Sequence, residues 1–186
     1  MIPSGLVVAY HGCDIKVAEQ AACGHLKLQP SVNAYDWLGH GIYGWQSDPQ
    51  RAWEWAKAMA KLRGSRIRKP AVLGLTIDLG HCFVAAMKEH IAMLSRAYER
   101  LSETYSASGI TMPRNVGKSW TNRKLDCAVF EMMHRIRDSE GQRPFDTVLA
   151  YFPEGSAAYP GAAIRQQDHV QICVRNPRQI LGCFIP

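Results

Sequence analysis

The stretch from Tyr35 to Trp45, Tyr-Asp-Trp-Leu-Gly-His-Gly-Ile-Tyr-Gly-Trp, constrains this chain more than any other. Gly39, Gly41 and Gly44 alternate there with the rings of Tyr35, Trp37, Tyr43 and Trp45. Glycine lets a backbone turn sharply and come close to another group, and rings offer flat apolar faces on which a planar group stacks. A core strand rarely carries so many glycines, because each weakens it and leaves nothing to pack. The stretch therefore reads as a turn, either simply packed or lining a ligand site. Tyr10-His11-Gly12, near the start of the chain, favours the ligand site.

With 186 residues, 47% of them hydrophobic and 20% charged, the chain suits a single domain with its own core. Six cysteines stand singly with no Cys-x-x-Cys pair, mostly in apolar neighbourhoods, which predicts free thiols in a reducing compartment. No apolar run approaches the ~20 residues of a membrane span. The opening Met-Ile-Pro-Ser-Gly has neither the charged flank nor the apolar core of a signal peptide. The expectation is a cytoplasmic protein with no membrane contact. A net charge of +6 favours an anionic partner: a phosphate-bearing cofactor, a nucleic acid or an acidic protein.

Leu6 to Tyr10 reads as a buried strand. Asp14 caps a helix over Ile15 to Cys23, and Ser47-Asp48-Pro49 opens another from Pro49 to about Leu62. Ala71 to Leu79 is a second strand. Phe83, Met87, Ile91, Leu94, Tyr98, Leu101 and Tyr105 form one apolar stripe, predicting a helix over Phe83 to Tyr105. A further helix spans Leu125 to Arg137. Phe145 to Phe152, Asp168 to Val174 and Gln179 to Phe184 read as strands, with a small-residue loop from Pro153 to Gln167. Strands at both ends with helices between them suggest α+β.

A strand ending in Tyr10-His11-Gly12, a Gly41-Ile42-Tyr43 turn before a helix, and a late strand Val170 to Val174 together resemble the ADP-ribosyltransferases of the diphtheria-toxin and poly(ADP-ribose) polymerase type. The likeness is greatest to small bacterial members of the toxin or phage-defence kind. It implies a split β-sandwich over residues 1–186 with a helical insertion at about 83–138, and NAD as substrate. It also implies a triad of His11, Tyr43 and Gln171, the last standing where the family usually has Glu. His11 would bond a ribose hydroxyl, Gly12 would offer its backbone to the carboxamide, and Tyr43, next to Gly41, would stack on nicotinamide. Trp53 or Trp55 would close the slot. A Gln has no charge and accepts no proton as a base, so Glu154 and Asp168 are the candidate bases or acceptor-site carboxylates.

The reaction so implied transfers ADP-ribose to a nucleic acid or protein. The rival readings are an NAD glycohydrolase, an RNA 2′-phosphotransferase, and a non-catalytic module that binds a nucleotide or a partner. The basic segments Lys61 to Lys69 and Arg114 to Lys124, with Trp120 to stack on a base, suit a nucleic-acid acceptor or an acidic antitoxin equally. The Pro153 to Gln167 loop is expected to cover the acceptor side. His40, beside Gly41, is placed to face the ligand. None of the histidines and cysteines has zinc-ligand spacing.

Overall fold

A computed structural model of the chain describes residues 5–117 and 122–186. Lys118 and Trp120, expected in the second basic segment, lie outside them. The architecture is mixed α/β: seven strands in one sheet, four helices, and a small two-stranded ribbon. In chain order the elements are β1 (Leu6–Asp14), α1 (Ile15–Ala22), β2 (Ile42–Gln46), α2 (Pro49–Ala60), β3 (Pro70–Asp78), β4 (Cys82–Val84) and α3 (Lys88–Ala107). Then follow β5 (Asn115–Val116), β6 (Asn122–Arg123), α4 (Lys124–Ser139), β7 (Thr147–Phe152), β8 (His169–Val174) and β9 (Ile180–Phe184).

The sheet runs β4-β7-β8-β2-β1-β3-β9, antiparallel throughout except where β4 joins β7 in parallel. The joins are unequal. β1 pairs with β3 along nine residues, but with β2 at only two positions, Ala9 opposite Gln46 and Tyr10 opposite Trp45. Beyond Tyr10 the ladder between β1 and β2 stops. The sheet therefore consists of a four-stranded group, β4-β7-β8-β2, and a three-stranded group, β1-β3-β9, joined at a short seam.

Local signals explain most elements. The Asp14 carboxylate accepts the Lys16 N–H and opens α1. Asp48 accepts the Arg51 N–H and Pro49 fills the first turn of α2. Two expectations fail. The glycine-rich centre is not only a turn, because Ile42–Gln46 is a central strand. Gly44 inside it lies tight on β1, where a Cβ would stand 2.9 Å from the Ala9 Cβ, and Gly41 just before it lies tight on β8, where a Cβ would stand 2.4 Å from the Cys173 sulfur. The helix predicted from Phe83 begins at Lys88 instead. Phe83 lies in β4 opposite Val148, and Met87 is the residue before the first helical turn. Their spacing matched the helical period only because a short buried strand precedes the helix.

Each face of the sheet has its own core. On one, Ala9, Leu73, Leu75, Ile77, Ile172 and Val174 pack under α1. On the other, α3 and α4 cover Phe83, Phe130, Met133, Val148 and Phe152, while α2 lies over β1 and β3. Among the described residues all six cysteines are free thiols, four of them buried, and no helix is long and apolar enough to cross a membrane.

Candidate functional site

His11, Tyr43 and Gln171 stand on three adjacent strands, β1, β2 and β8. The His11 Nδ1–H donates to the Tyr43 carbonyl oxygen at 2.7 Å, which leaves Nε2 as an acceptor. Burial holds its pKa below the ordinary imidazole value, against the opposing pull of the Tyr43 carbonyl. Strand alternation places the His11 ring on the α1 face with Ala9 and Cys13, whereas Tyr43 and Gln171 share the opposite face. The three strands adjoin, but the imidazole and the carboxamide leave the sheet on opposite sides. A ligand touching both must lie across the seam.

Tyr43 is more committed than the sequence suggests. Its hydroxyl donates to the Gly39 carbonyl at 2.6 Å and accepts the Leu38 N–H at 2.8 Å. Burial pushes the phenol pKa up, and the ring packs against the core beneath α4. The side chain fastens the Trp37–Gly39 turn. Glu131 and Arg175 clamp the same turn from outside: Arg175 Nη1 meets Glu131 Oε1 at 2.6 Å and the His40 carbonyl at 3.0 Å. Glu131 also accepts the His40 N–H at 2.8 Å and lies 3.4 Å from His40 Nδ1. His40 is thus held by Glu131 rather than presented to a ligand. Burial alone would raise the Glu131 carboxyl, but the Arg175 and His40 donors outweigh it and hold it low.

Gln171 lies opposite Trp45 on the sheet face that α2 and α4 cover. Around it stand Trp37, Trp55, Phe152 and His169. The Trp45 ring centroid lies 5.8 Å from that of Trp55 and 6.3 Å from that of His169, and Trp37 meets Phe152 edge-on at 4.9 Å. The Arg123 guanidinium sits over both Trp37 and Phe152, at 4.1 and 4.6 Å. Arg51 reaches Glu154 at 2.6 Å, with His169 Nδ1 3.7 Å from the same carboxylate oxygen. Burial keeps the His169 pKa low despite its Nδ1–H bond to the Gln167 carbonyl.

Buried polar side-chain atoms normally find partners. Among the described residues eight have none, and five of those belong to this one cluster: Trp45 Nε1, Arg51 Nε, Arg123 Nε, His169 Nε2 and Gln171 Oε1. Beside it runs a cleft of about 960 Å³ between α3, α4 and β7, with Trp37, Arg123 and Phe152 as its shared wall. That volume suits a bound small molecule. No group of three or more His, Cys, Asp or Glu side chains among the described residues is arranged to hold a metal ion.

The other expected residues divide clearly. Gly12 is where α2 lands on β1: a Cβ there would stand 2.4 Å from the Ala52 carbonyl oxygen and 3.0 Å from the Trp55 ring. Its lack of a side chain serves helix packing. Trp55 joins the cluster, whereas Trp53, two residues earlier, turns away towards Lys57. Glu154 is in the cluster. Asp168 is not a suitable base, since it accepts the Arg165 N–H, the Tyr151 hydroxyl and the Glu154 N–H. Those bonds, Arg165 first, hold its pKa down.

The Pro153 to Gln167 loop is largely exposed and borders the site through Glu154. Lys61 to Lys69 is mostly exposed, with the Arg68 and Lys69 N–H groups bonded to Asp14. In the second basic segment Arg123 turns inward onto Trp37 and Phe152 instead of facing solvent.

Sequence reasoning missed His169, Arg51 and Arg123 as site residues. One signal was available: His169 and Gln171 are two apart on a strand and therefore share a face. No protein-family model matches the chain, and no curated protein matches it.

Proposed function

We propose that this chain is an NAD-dependent ADP-ribosyltransferase of the split-sandwich type, cleaving the nicotinamide glycosidic bond and passing ADP-ribose to a nucleic-acid or protein acceptor. The observation that carries the reading is the Gln171 carboxamide, 8% exposed, with its oxygen unpartnered. It stands at the late-strand position where the resemblance places the triad's third member. The weak seam between β1 and β2, flanked by His11 and Tyr43, supports the split-sandwich topology.

In this reading NAD lies across the seam, with a ribose hydroxyl towards His11 Nε2 and the nicotinamide end towards Gln171. The C1′–N bond breaks and its electron pair leaves with nicotinamide. An oxocarbenium-like ribose develops, and the carboxamide dipole of Gln171 and the π face of Trp45 stabilise it. An acceptor oxygen or nitrogen then attacks C1′ and loses its proton. Glu154, held between Arg51 and His169, is the carboxylate placed to take that proton.

A non-catalytic NAD-binding module is the second reading, because an uncharged Gln171 stabilises a cation less than Glu would. Incubating the full chain with NAD and following nicotinamide release decides between them. Turnover that falls at least about 100-fold in both His11→Ala and Gln171→Ala is expected. NAD binding without release supports the module, and neither binding nor release rejects both readings. Adding RNA, DNA or a cell lysate then separates transfer from hydrolysis.

A further inference from the structure

We infer that Trp45, His169 and Gln171 form a recognition pocket for a primary carboxamide, which is the nicotinamide end of NAD if the reading above holds. All three side chains are more than nine-tenths buried: Trp45 and His169 are 5% exposed, and Gln171 8%. Each keeps one polar atom without a partner. They are neighbours on one face of the sheet. Gln171 is directly opposite Trp45, His169 is two residues from Gln171 on the same strand, and the Trp45 and His169 rings lie 6.3 Å apart.

The hydrogen-bonding pattern is specific. The indole Nε1–H of Trp45 only donates, and Gln171 Oε1 only accepts. His169 Nδ1–H is spent on the Gln167 carbonyl at 2.8 Å, so Nε2 accepts as well. One donor and two acceptors complement a group with one acceptor and two donors. A primary carboxamide has that set in its C=O and NH₂, and a carboxylate has no donor at all. The rings of Trp37 and Phe152 beside His169 give an attached aromatic ring a surface to stack on. Trp55, part exposed and over Trp45, is the side chain an entering ligand displaces. This assigns carboxamide recognition to side chains on β2 and β8 rather than to the Gly12 backbone.

The test uses the full chain with free nicotinamide, benzamide and nicotinate, followed by calorimetry or ligand-observed NMR. Nicotinamide and benzamide are expected to bind, with nicotinate at least tenfold weaker. Trp45→Phe, which removes the N–H and keeps a ring, is expected to weaken nicotinamide about tenfold, the worth of one buried hydrogen bond. Equal binding of amide and acid overturns the assignment, as does absence of binding by any of the three. An unchanged affinity in Trp45→Phe overturns it too. The wild-type comparison of amide with acid needs no variant to fold. Selective nicotinamide binding without NAD turnover rejects the catalytic reading and keeps the pocket. NAD turnover with no selectivity for amide over acid rejects the pocket and keeps the enzyme.

Discussion

The two faces of the sheet are built from the same strands and finished differently. Under α1, alternate residues of β1, β3 and β8 supply Ala9, Leu73, Leu75, Ile77, Ile172 and Val174, an apolar layer with His11 at its edge bonded to the Tyr43 carbonyl. On the other face the intervening residues of β2 and β8 supply Trp45, His169 and Gln171, and polar atoms there are buried without partners. An unpartnered buried polar group costs about 1–3 kcal/mol. A fold bears that cost repeatedly in one spot when the spot serves something other than stability. The first face holds the fold, and the second is where a ligand would repay what the fold gives up.

The largest effect that tests this contrast is on stability. Leu75 is fully buried, and Leu75→Ala is expected to cost about 2–5 kcal/mol in urea unfolding. Gln171→Ala, two strands beyond β1 in the sheet, is expected to cost under about 1 kcal/mol, since its carbonyl oxygen loses no hydrogen bond. In the proposed reaction it should nonetheless lower NAD cleavage at least about 100-fold. Equal losses of stability would make Gln171 an ordinary core residue and erase the distinction between the faces.

Tyr43 sits between these extremes, and it shows what the sequence concealed. Most elements were legible, because caps, alternation and a 3.6-residue period are local signals. The job of the Tyr43 hydroxyl was not, because it depends on where Leu38 and Gly39 fold back. The Arg175–Glu131 clamp joins residues 44 apart, and no short-range pattern announces it. The inward turn of Arg123 was hidden for the same reason: in the sequence it is one more cation in a basic run. Tyr43→Phe keeps the ring and removes both turn hydrogen bonds. It should cost about 1–3 kcal/mol, more than Gln171→Ala and less than Leu75→Ala. A loss below about 0.5 kcal/mol would return the phenol to the role of a free stacking surface.

Acid titration compares the faces differently. His11 on the α1 face, His169 in the cluster and His134 in α4 are each held by burial below the ordinary imidazole pKa, His134 down to about 3. Unfolding frees all three to take a proton near pH 6.5. In the window below that value the unfolded chain binds more protons, so stability falls as pH drops. Each neutral histidine contributes a slope of about 1.4 kcal/mol per pH unit. This window lies above the carboxylate range, so urea unfolding between pH 7.5 and 5 isolates it. His134→Gln and His169→Gln should each flatten the curve by one histidine's share. A curve that stays flat to pH 5 would mean that these rings are not buried neutral on either face.

The smallest contrast is within α2, whose two tryptophans are almost equally exposed, at 38% for Trp53 and 37% for Trp55. Equal exposure would predict equal effects. Their positions predict otherwise, because residues two apart on a helix point away from each other. Trp55 shares its side of the helix with Arg51, four residues before it, and both lie against Trp45. Trp53 rests under Lys57, with the ammonium 5.8 Å from its ring. Trp53→Ala should therefore leave both stability and nicotinamide affinity within about 0.5 kcal/mol of the parent chain. Trp55→Ala removes the cover over Trp45, and it should speed nicotinamide association severalfold. Stopped-flow tryptophan quenching reads both rates. Identical kinetics in the two variants would show that α2 packs over β1 without gating the cluster, and the entrance would then have to be sought on the α4 side, past Arg123.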